Sequence, residues 1–488
     1  MATLTEVLER AARNDGNAEA IRSPGRAEAI TWGALREASL RWAGALAQAG
    51  VRPGDRVGIL LGNIPEFPIA FFAALNLGAV VVPVNPRLTE TEVRGILAHA
   101  EARAVICSGE TKALAGDLPT FTPPDLAAGE IRAPHAAQAG DDAEILYTSG
   151  TTGNPKGVVM THGAAVETAA MAAYQFGIRP RERVAVLMPL THSAPLNLFL
   201  LGAAYAGATV ILGAFDPRNP AGMLEVLAQE RAQYLFAAPV AYLLGLRADP
   251  GRYDLSAMKS WIYGGAPMSR EQVQAVRRAY GGRWMSVYGL TESGPNGMAL
   301  DDEDHALHAG SIGWRPTVNA EVRLVDEAGV DVAPGQPGEL AMRTPSAMRG
   351  YLKNPQATAE VLRDGWVHTG DMAVRDAEGY YWMLDRKKDL ILSGGFNVYP
   401  REVEEAVLTH PAVADVAVVE TPHPEWGETV TAVVVLKAGQ ELTLDALRTH
   451  LRPILASQKH PRRLEIAAAL PRNATGKLLR HELRRQLA

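Results

Sequence analysis

Short β-branched runs alternate with longer Ala- and Leu-rich stretches over most of the chain. Arg56-Val57-Gly58-Ile59-Leu60-Leu61 predicts a strand, the apolar run over 67–78 a core helix, and Ala79-Val80-Val81-Val82-Pro83-Val84 a second strand. Further strands are predicted over 183–188, 208–212 and 233–236. Strands that alternate with helices argue for α/β layers with largely parallel sheets. Between 321 and 351 the texture changes to short strands and Gly/Pro turns, as in Asp331-Val332-Ala333-Pro334-Gly335-Gln336-Pro337-Gly338, which predicts a β-rich subdomain. A charged run over 385–389 follows the strand-like 380–384 and marks a second boundary. A helix over 401–408, strands over 413–419 and 430–436 and a basic C-terminal helix then read as a small α+β domain. The expected fold is α/β: a large N-terminal domain over 1–385 built from layered α/β sheets plus the β-rich subdomain, and a small C-terminal domain over 386–488.

Composition narrows this picture. A chain of 488 residues exceeds one ordinary domain. Its net charge of −6 includes no basic block, so nucleic acid is not an expected partner. The one cysteine, Cys107, follows Ala104-Val105-Ile106 and reads as a small core residue rather than a nucleophile. It cannot form an internal disulfide, which suits a reducing compartment. The N-terminal stretch carries acidic residues and no long apolar run, unlike a signal peptide, and the 67–78 run is too short to span a bilayer. A soluble, cytoplasmic protein without an integral membrane segment is expected.

The richest segment is Tyr147-Thr148-Ser149-Gly150-Thr151-Thr152-Gly153-Asn154-Pro155-Lys156-Gly157-Val158, after the strand-like Glu144-Ile145-Leu146. Glycines and small hydroxyl residues let backbone N–H and side-chain O–H groups close around phosphate oxygens, and Lys156 adds a positive charge. It is not a Walker A loop, because Pro155 precedes the lysine. A surface turn would use the same residue types but rarely so many hydroxyls in series.

These residues resemble the phosphate loop of the adenylate-forming superfamily, which comprises acyl- and aryl-CoA synthetases, peptide adenylation domains and luciferases. The resemblance extends over nearly the whole chain, from 31 to 483. It implies that Thr148, Ser149, Gly150, Thr151, Thr152, Gly153 and Lys156 hold ATP phosphates. Tyr263-Gly264-Gly265-Ala266-Pro267-Met268 is similar to the turn that lies against adenine, implicating Gly264, Gly265, Ala266 and Pro267. Tyr288-Gly289-Leu290-Thr291-Glu292-Ser293 resembles a motif in which Tyr288 stacks on adenine and Gly289 belongs to the nucleotide site. There Thr291 bonds the α-phosphate and Glu292 holds Mg²⁺, whose hard charge suits carboxylate oxygen. Gly365-Trp366-Val367-His368-Thr369-Gly370-Asp371 resembles the ribose motif, with Asp371 accepting from the ribose hydroxyls. Asp385-Arg386-Lys387-Lys388-Asp389 is similar to the family hinge, with Arg386 at the ribose and Lys388 at the pivot of a mobile C-terminal domain. Gly394 and Gly395 match the segment that lines the coenzyme A tunnel after that domain turns.

Pro471-Arg472-Asn473-Ala474-Thr475-Gly476-Lys477 resembles the C-terminal lysine motif, in which Lys477 bridges the substrate carboxylate and the α-phosphate. The resemblance implies an AMP-forming acyl-CoA synthetase with ATP, Mg²⁺ and coenzyme A. The acid is ionised at neutral pH, so the first step needs neutralisation of charge rather than a general base. Lys477, Lys156, Thr291 and Glu292 are the catalytic candidates. His192 matches a position beside the acyl pocket; Asn197, Val240, Gly264, Gly289 and Met298 are its expected neighbours. Small or apolar residues there suit a neutral medium-chain fatty or aromatic acid, and no aspartate stands nearby to hold an amino group. A stand-alone enzyme loading a carrier-protein pantetheine shares every nucleotide motif. A binding protein that has lost turnover is the alternative of another class, against which Glu292, Asp371 and Lys477 speak. The assembly state is left open, a homodimer being one option.

Overall fold

The predicted strand at 56–61 is realised as Arg56–Leu60, parallel to both Val80–Pro83 and Ala102–Cys107. Between the first two lies the helix Glu66–Leu77, whose side chains are buried from Phe67 to Leu77. A helix apolar all round belongs inside a core, where each phenylalanine contributes about 2–3 kcal/mol. Gly78, at φ 81°, closes it with its N–H on Ala74 O, a left-handed cap that other residues resist. The computed structural model describes residues 2–148, 155–266, 268–393, 396–423, 427–472 and 478–487. They fall into two compact units: 1–309, 313–322 and 342–368 in one, and 310–312, 323–341 and 369–488 in the other.

The first unit holds two large sheets. One runs in the order Gly350–Tyr351, Lys156–Thr161, Asp142–Thr148, Val80–Pro83, Arg56–Leu60, Ala102–Cys107, Thr120–Phe121. The other runs Arg315–Pro316, Gly297–Leu300, Arg283–Gly289, Ser260–Gly264, Tyr234–Ala237, Arg183–Val186, Thr209–Leu212, Glu19–Arg22, Ile30–Thr31. In this second sheet the six strands from Arg283–Gly289 to Glu19–Arg22 run parallel to one another, flanked on both sides by antiparallel strands. The mixed α/β class expected from the alternating pattern is what forms. Cys107 is buried, and burial raises its thiol pKa, as befits a core residue. Among the described residues no helix is long and apolar enough to cross a membrane.

In the second unit Val413–His423 and Gly427–Leu436 form a long antiparallel pair. Successive side chains of a strand point to opposite faces, and here both faces are covered. Val416 and Val418 pack with Val403, Val407, Leu447 and Leu451 on one side, and Ala417 and Val419 with Leu470 and Leu483 on the other. The predicted basic C-terminal helix is Arg480–Leu487, but it is not a solvated basic face. Arg480 Nη2 donates to both oxygens of Glu404 at 2.7 and 2.8 Å, and Arg484 Nη2 to Asp389 Oδ1 at 2.8 Å. Two apolar positions, Leu483 and Leu487, cannot seat this helix alone, so inward arginines meeting buried carboxylates complete the docking.

Candidate active site

In an open α/β sheet, ligands bind beyond the carboxyl ends of parallel strands. Four adjacent parallel strands of the nine-stranded sheet deliver the candidates this way. Arg183–Val186 leads to His192 and Ser193, Tyr234–Ala237 to Val240, Ser260–Gly264 to Gly265 and Ala266, and Arg283–Gly289 to Thr291 and Glu292. From the seven-stranded sheet, Thr148 ends one strand and Lys156 begins the next, and the two are cross-strand partners. The phosphate segment therefore connects antiparallel strands, unlike a Walker A loop, which opens a helix.

Side-chain bonds tie these loops together. Ser193 Oγ and Thr291 Oγ1 lie 2.9 Å apart. Tyr351 donates its phenol to Glu292 Oε1 at 2.7 Å, and Lys156 Nζ stands 4.9 Å from the centre of the same ring. The structure thus brings Lys156, Glu292 and Thr291 into one neighbourhood through two residues, Tyr351 and Ser193, that motif reasoning did not single out. Tyr351 comes from the short strand Gly350–Tyr351, paired with Val159 and Val158. Nothing in its local sequence marks it.

The loop carrying His192 is held by Asn63, also not foreseen. Its Nδ2 donates to Met188 O at 2.8 Å and Val186 O at 3.2 Å, while its Oδ1 accepts from Leu190 N at 3.0 Å. His192 Nε2 is buried without a partner among the described residues, and desolvation pushes the imidazole pKa below its usual value. The ring is neutral at physiological pH, suited to shaping a wall rather than shuttling protons. Beyond it Ala194–Leu200 forms a π-helix, in which Asn197 is buried. Asn197 Nδ2 donates to Glu144 Oε1 at 2.7 Å, so its amide is engaged by the strand that leads to Thr148. Glu144 is wholly buried, and desolvation raises its pKa to about 7 against the pull of that single bond.

The other expected pocket residues differ in setting. Met298 is fully buried in Gly297–Leu300, whereas Val240 is exposed on the helix Pro239–Gly245. Gly264 and Gly289 are required by backbone packing as well as by any ligand. A Cβ on Gly264 would lie 2.6 Å from Val287 O, and one on Gly289 would lie 2.6 Å from the Pro295 carbonyl. Gly265 instead has open space around it but sits at φ +77°, the left-handed region. Tyr288 is half-buried at the end of its strand.

The second unit holds the remaining described candidates. Asp371 and Arg386 are cross-strand partners, with Arg386 Nε 3.1 Å from Asp371 Oδ1. This register explains how two motifs separated in sequence serve one patch. Thr369 Oγ1 donates to Leu340 O at 2.7 Å and accepts from Asp371 N at 3.0 Å, locking the turn in front of the aspartate. Lys388 lies in the short helix Lys387–Asp389, its pKa lowered by desolvation and by Arg386 and Arg484, against the pull of Asp389. Asp385 and Asp389 on either side are buried. Ser149, Gly150, Thr151, Thr152, Gly153, Pro267, Gly394, Gly395 and Lys477 lie outside the described residues.

Comparison with known proteins extends these local observations. Residues 8–352 match the family described as AMP-binding enzyme, and residues 402–477 match the AMP-binding enzyme C-terminal domain. A feruloyl-CoA synthase of Amycolatopsis sp is 38% identical, over 98% of this chain and 97% of its own length. The long-chain-fatty-acid–CoA ligase FadD13 of Mycobacterium tuberculosis is 34% identical, over 94% of this chain and 93% of its own. The crystal structure of the anthranilate CoA ligase AuaEII in complex with anthranoyl-AMP superposes with a TM-score of 0.91 at 27% identity, covering 99% of this chain and 97% of that one.

Proposed function

Because this chain belongs to the AMP-binding enzyme family and is an AMP-forming acid–thiol ligase, we propose that it joins an aromatic carboxylic acid to coenzyme A. The observation that carries the substrate class is the full-length similarity to a feruloyl-CoA synthase, supported by the likeness to an anthranilate CoA ligase. The half-buried, neutral His192 and the apolar Met298 and Val240 suit a planar uncharged ring better than a second carboxylate or an ammonium group.

In the first half-reaction a carboxylate oxygen of the acid attacks the α-phosphorus of ATP. The bond to the β-phosphate oxygen breaks, and pyrophosphate leaves. No proton has to move, so the task of the protein is to hold two anions in line and offset their charge. With Ser193 as the donor of the hydroxyl pair, the Thr291 hydrogen would be left for an α-phosphate oxygen. Lys156, seated on the face of Tyr351, offers its ammonium to the phosphates, with Lys477 as the bridging cation. Asp371 and Arg386 receive the ribose. Glu292 fits a divalent cation: Tyr351 engages Oε1, and among the described residues Oε2 has no partner and would serve as a hard oxygen donor. Among the described residues no group of three His, Cys, Asp or Glu side chains gathers, so one carboxylate would share the ion with substrate phosphates and water, as is common for Mg²⁺. When bound, that ion supplies positive charge at the phosphate oxygens. In the second half-reaction the thiol sulfur attacks the acyl carbon of the adenylate, the acyl–phosphate bond breaks, AMP departs, and the thiol proton passes to solvent. We place the functional division between Asp385 and Arg386, with Lys388 as the pivot, Gly394 and Gly395 at the thiol tunnel, and the 386–488 domain serving both halves by turning.

The test is AMP release from ATP with a panel of cinnamate, benzoate and saturated medium- and long-chain acids, each with and without coenzyme A. Turnover that needs coenzyme A and is fastest with aromatic acids supports the proposal. Preference for saturated chains overturns the substrate class, and release indifferent to coenzyme A favours a carrier-protein acceptor.

A further inference from the structure

The segment 348–352 laces the two anion-handling motifs together and carries no assigned part in the reaction. Met348 N donates to Glu292 O at 2.9 Å, Arg349 N to Val159 O at 2.9 Å and Leu352 N to Gly157 O at 2.8 Å. Tyr351 sits between these anchors, buried, with its own N–H on Thr358 Oγ1 at 2.9 Å. Its ring has little freedom, and it presents two surfaces to two different site residues. The hydroxyl edge meets Glu292 Oε1 at 2.7 Å, and the π face lies under Lys156 Nζ.

We propose that Tyr351 is a positioning residue for the metal–nucleotide complex, its hydroxyl aiming the Glu292 carboxylate at the divalent cation while its ring seats Lys156 for the phosphates. The proposal rests on the reading of Glu292 as the carboxylate that holds that cation. A carboxylate whose one oxygen is engaged by a fixed phenol cannot rotate freely, so its other oxygen is presented in one direction. Groups that orient metal ligands in this way typically change metal affinity by about ten- to a hundredfold when removed. The ring contribution is separate and smaller, since a half-buried lysine over an aromatic face gains about two- to fivefold in local occupancy.

Tyr351→Phe keeps the ring and removes only the hydroxyl, whereas Tyr351→Leu removes both. ATP binding is followed by calorimetry without any acid, at a series of Mg²⁺ concentrations, so no turnover is needed. The expected result is a Mg²⁺ midpoint raised about tenfold in Tyr351→Phe, with ATP affinity at saturating Mg²⁺ close to the parent. Tyr351→Leu should show the same midpoint shift and, in addition, about two- to fivefold weaker ATP binding at saturating Mg²⁺. Because the phenol acts through Glu292, Tyr351→Phe should add no further shift in a Glu292→Gln background. A parent-like midpoint in Tyr351→Phe, or the same tenfold shift in the Glu292→Gln background, overturns the positioning role alone. If Glu292→Gln itself leaves the midpoint where it was, the cation assignment falls, and the role of Tyr351 falls with it.

Discussion

Replacing Glu144 with glutamine should make the first unit more stable, and increasingly so as pH rises. Glu144 is wholly buried; Oε1 accepts from Asn197, and Oε2 has no partner among the described residues. One hydrogen bond cannot offset the loss of water around a carboxylate, so its pKa rises from 4.5 to about 7. The folded state therefore takes up this proton more readily than the unfolded chain. Stability is full below about pH 4.5 and is lost as pH climbs through the window up to about 7. At about 1.4 kcal/mol per pKa unit, the ionised side chain lowers stability by about 3 kcal/mol in mildly alkaline buffer and by about 1 kcal/mol at pH 5.5. Glutamine keeps an oxygen for Asn197 and carries no charge. Its advantage should grow by about 2 kcal/mol between pH 5.5 and 8.5, which for a unit of roughly 350 residues is about 3 °C in melting temperature. Calorimetry of parent and Glu144→Gln in matched buffers at the two pH values measures this directly. An advantage that is equal at both, or that shrinks towards alkaline pH, refutes the reasoning.

Other expectations follow from the same geometry. Gly289→Ala places a Cβ 2.6 Å from the Pro295 carbonyl, backbone that cannot swing aside, and should lower stability by about 3 kcal/mol in thermal unfolding. Gly265→Ala meets no atom but must hold φ near +77°, so a loss of about 1 kcal/mol is expected. Arg480→Met strands Glu404, whose carboxyl burial already pushes its pKa upward, and should weaken the second unit by about 3–5 kcal/mol, read as faster hydrogen exchange in Val413–His423 and Arg480–Leu487. Lys477→Ala should abolish acid-dependent pyrophosphate exchange while sparing thioester formation from supplied acyl-adenylate. Equal loss of both activities would contradict the proposed division of labour.

The strands at 56–60, 80–83 and 183–186, the buried helix at 66–77 and the antiparallel pair beyond 413 were legible because period and β-branching report the local backbone and the side it buries. The motifs were legible because phosphate chemistry favours an unusual mixture of glycine, hydroxyl and charge within a few residues. The inward turn of Arg480 and Arg484 was not legible: a charge pattern on a helix looks the same whether it faces water or a buried carboxylate.

By itself the sequence determined the α/β class and the adenylate-forming family, and nominated the side chains proposed to carry the chemistry, all from patterns written in neighbouring residues. Tertiary structure alone decided that Tyr351 meets Glu292 across 59 positions and Asn197 meets Glu144 across 53. Such pairings depend on strand order and register, and a hydrogen bond leaves no trace in either partner's local sequence. The same holds for the packing role of Gly264 and Gly289, whose missing Cβ atoms are demanded by neighbouring backbone at Val287 and Pro295 as well as by any ligand.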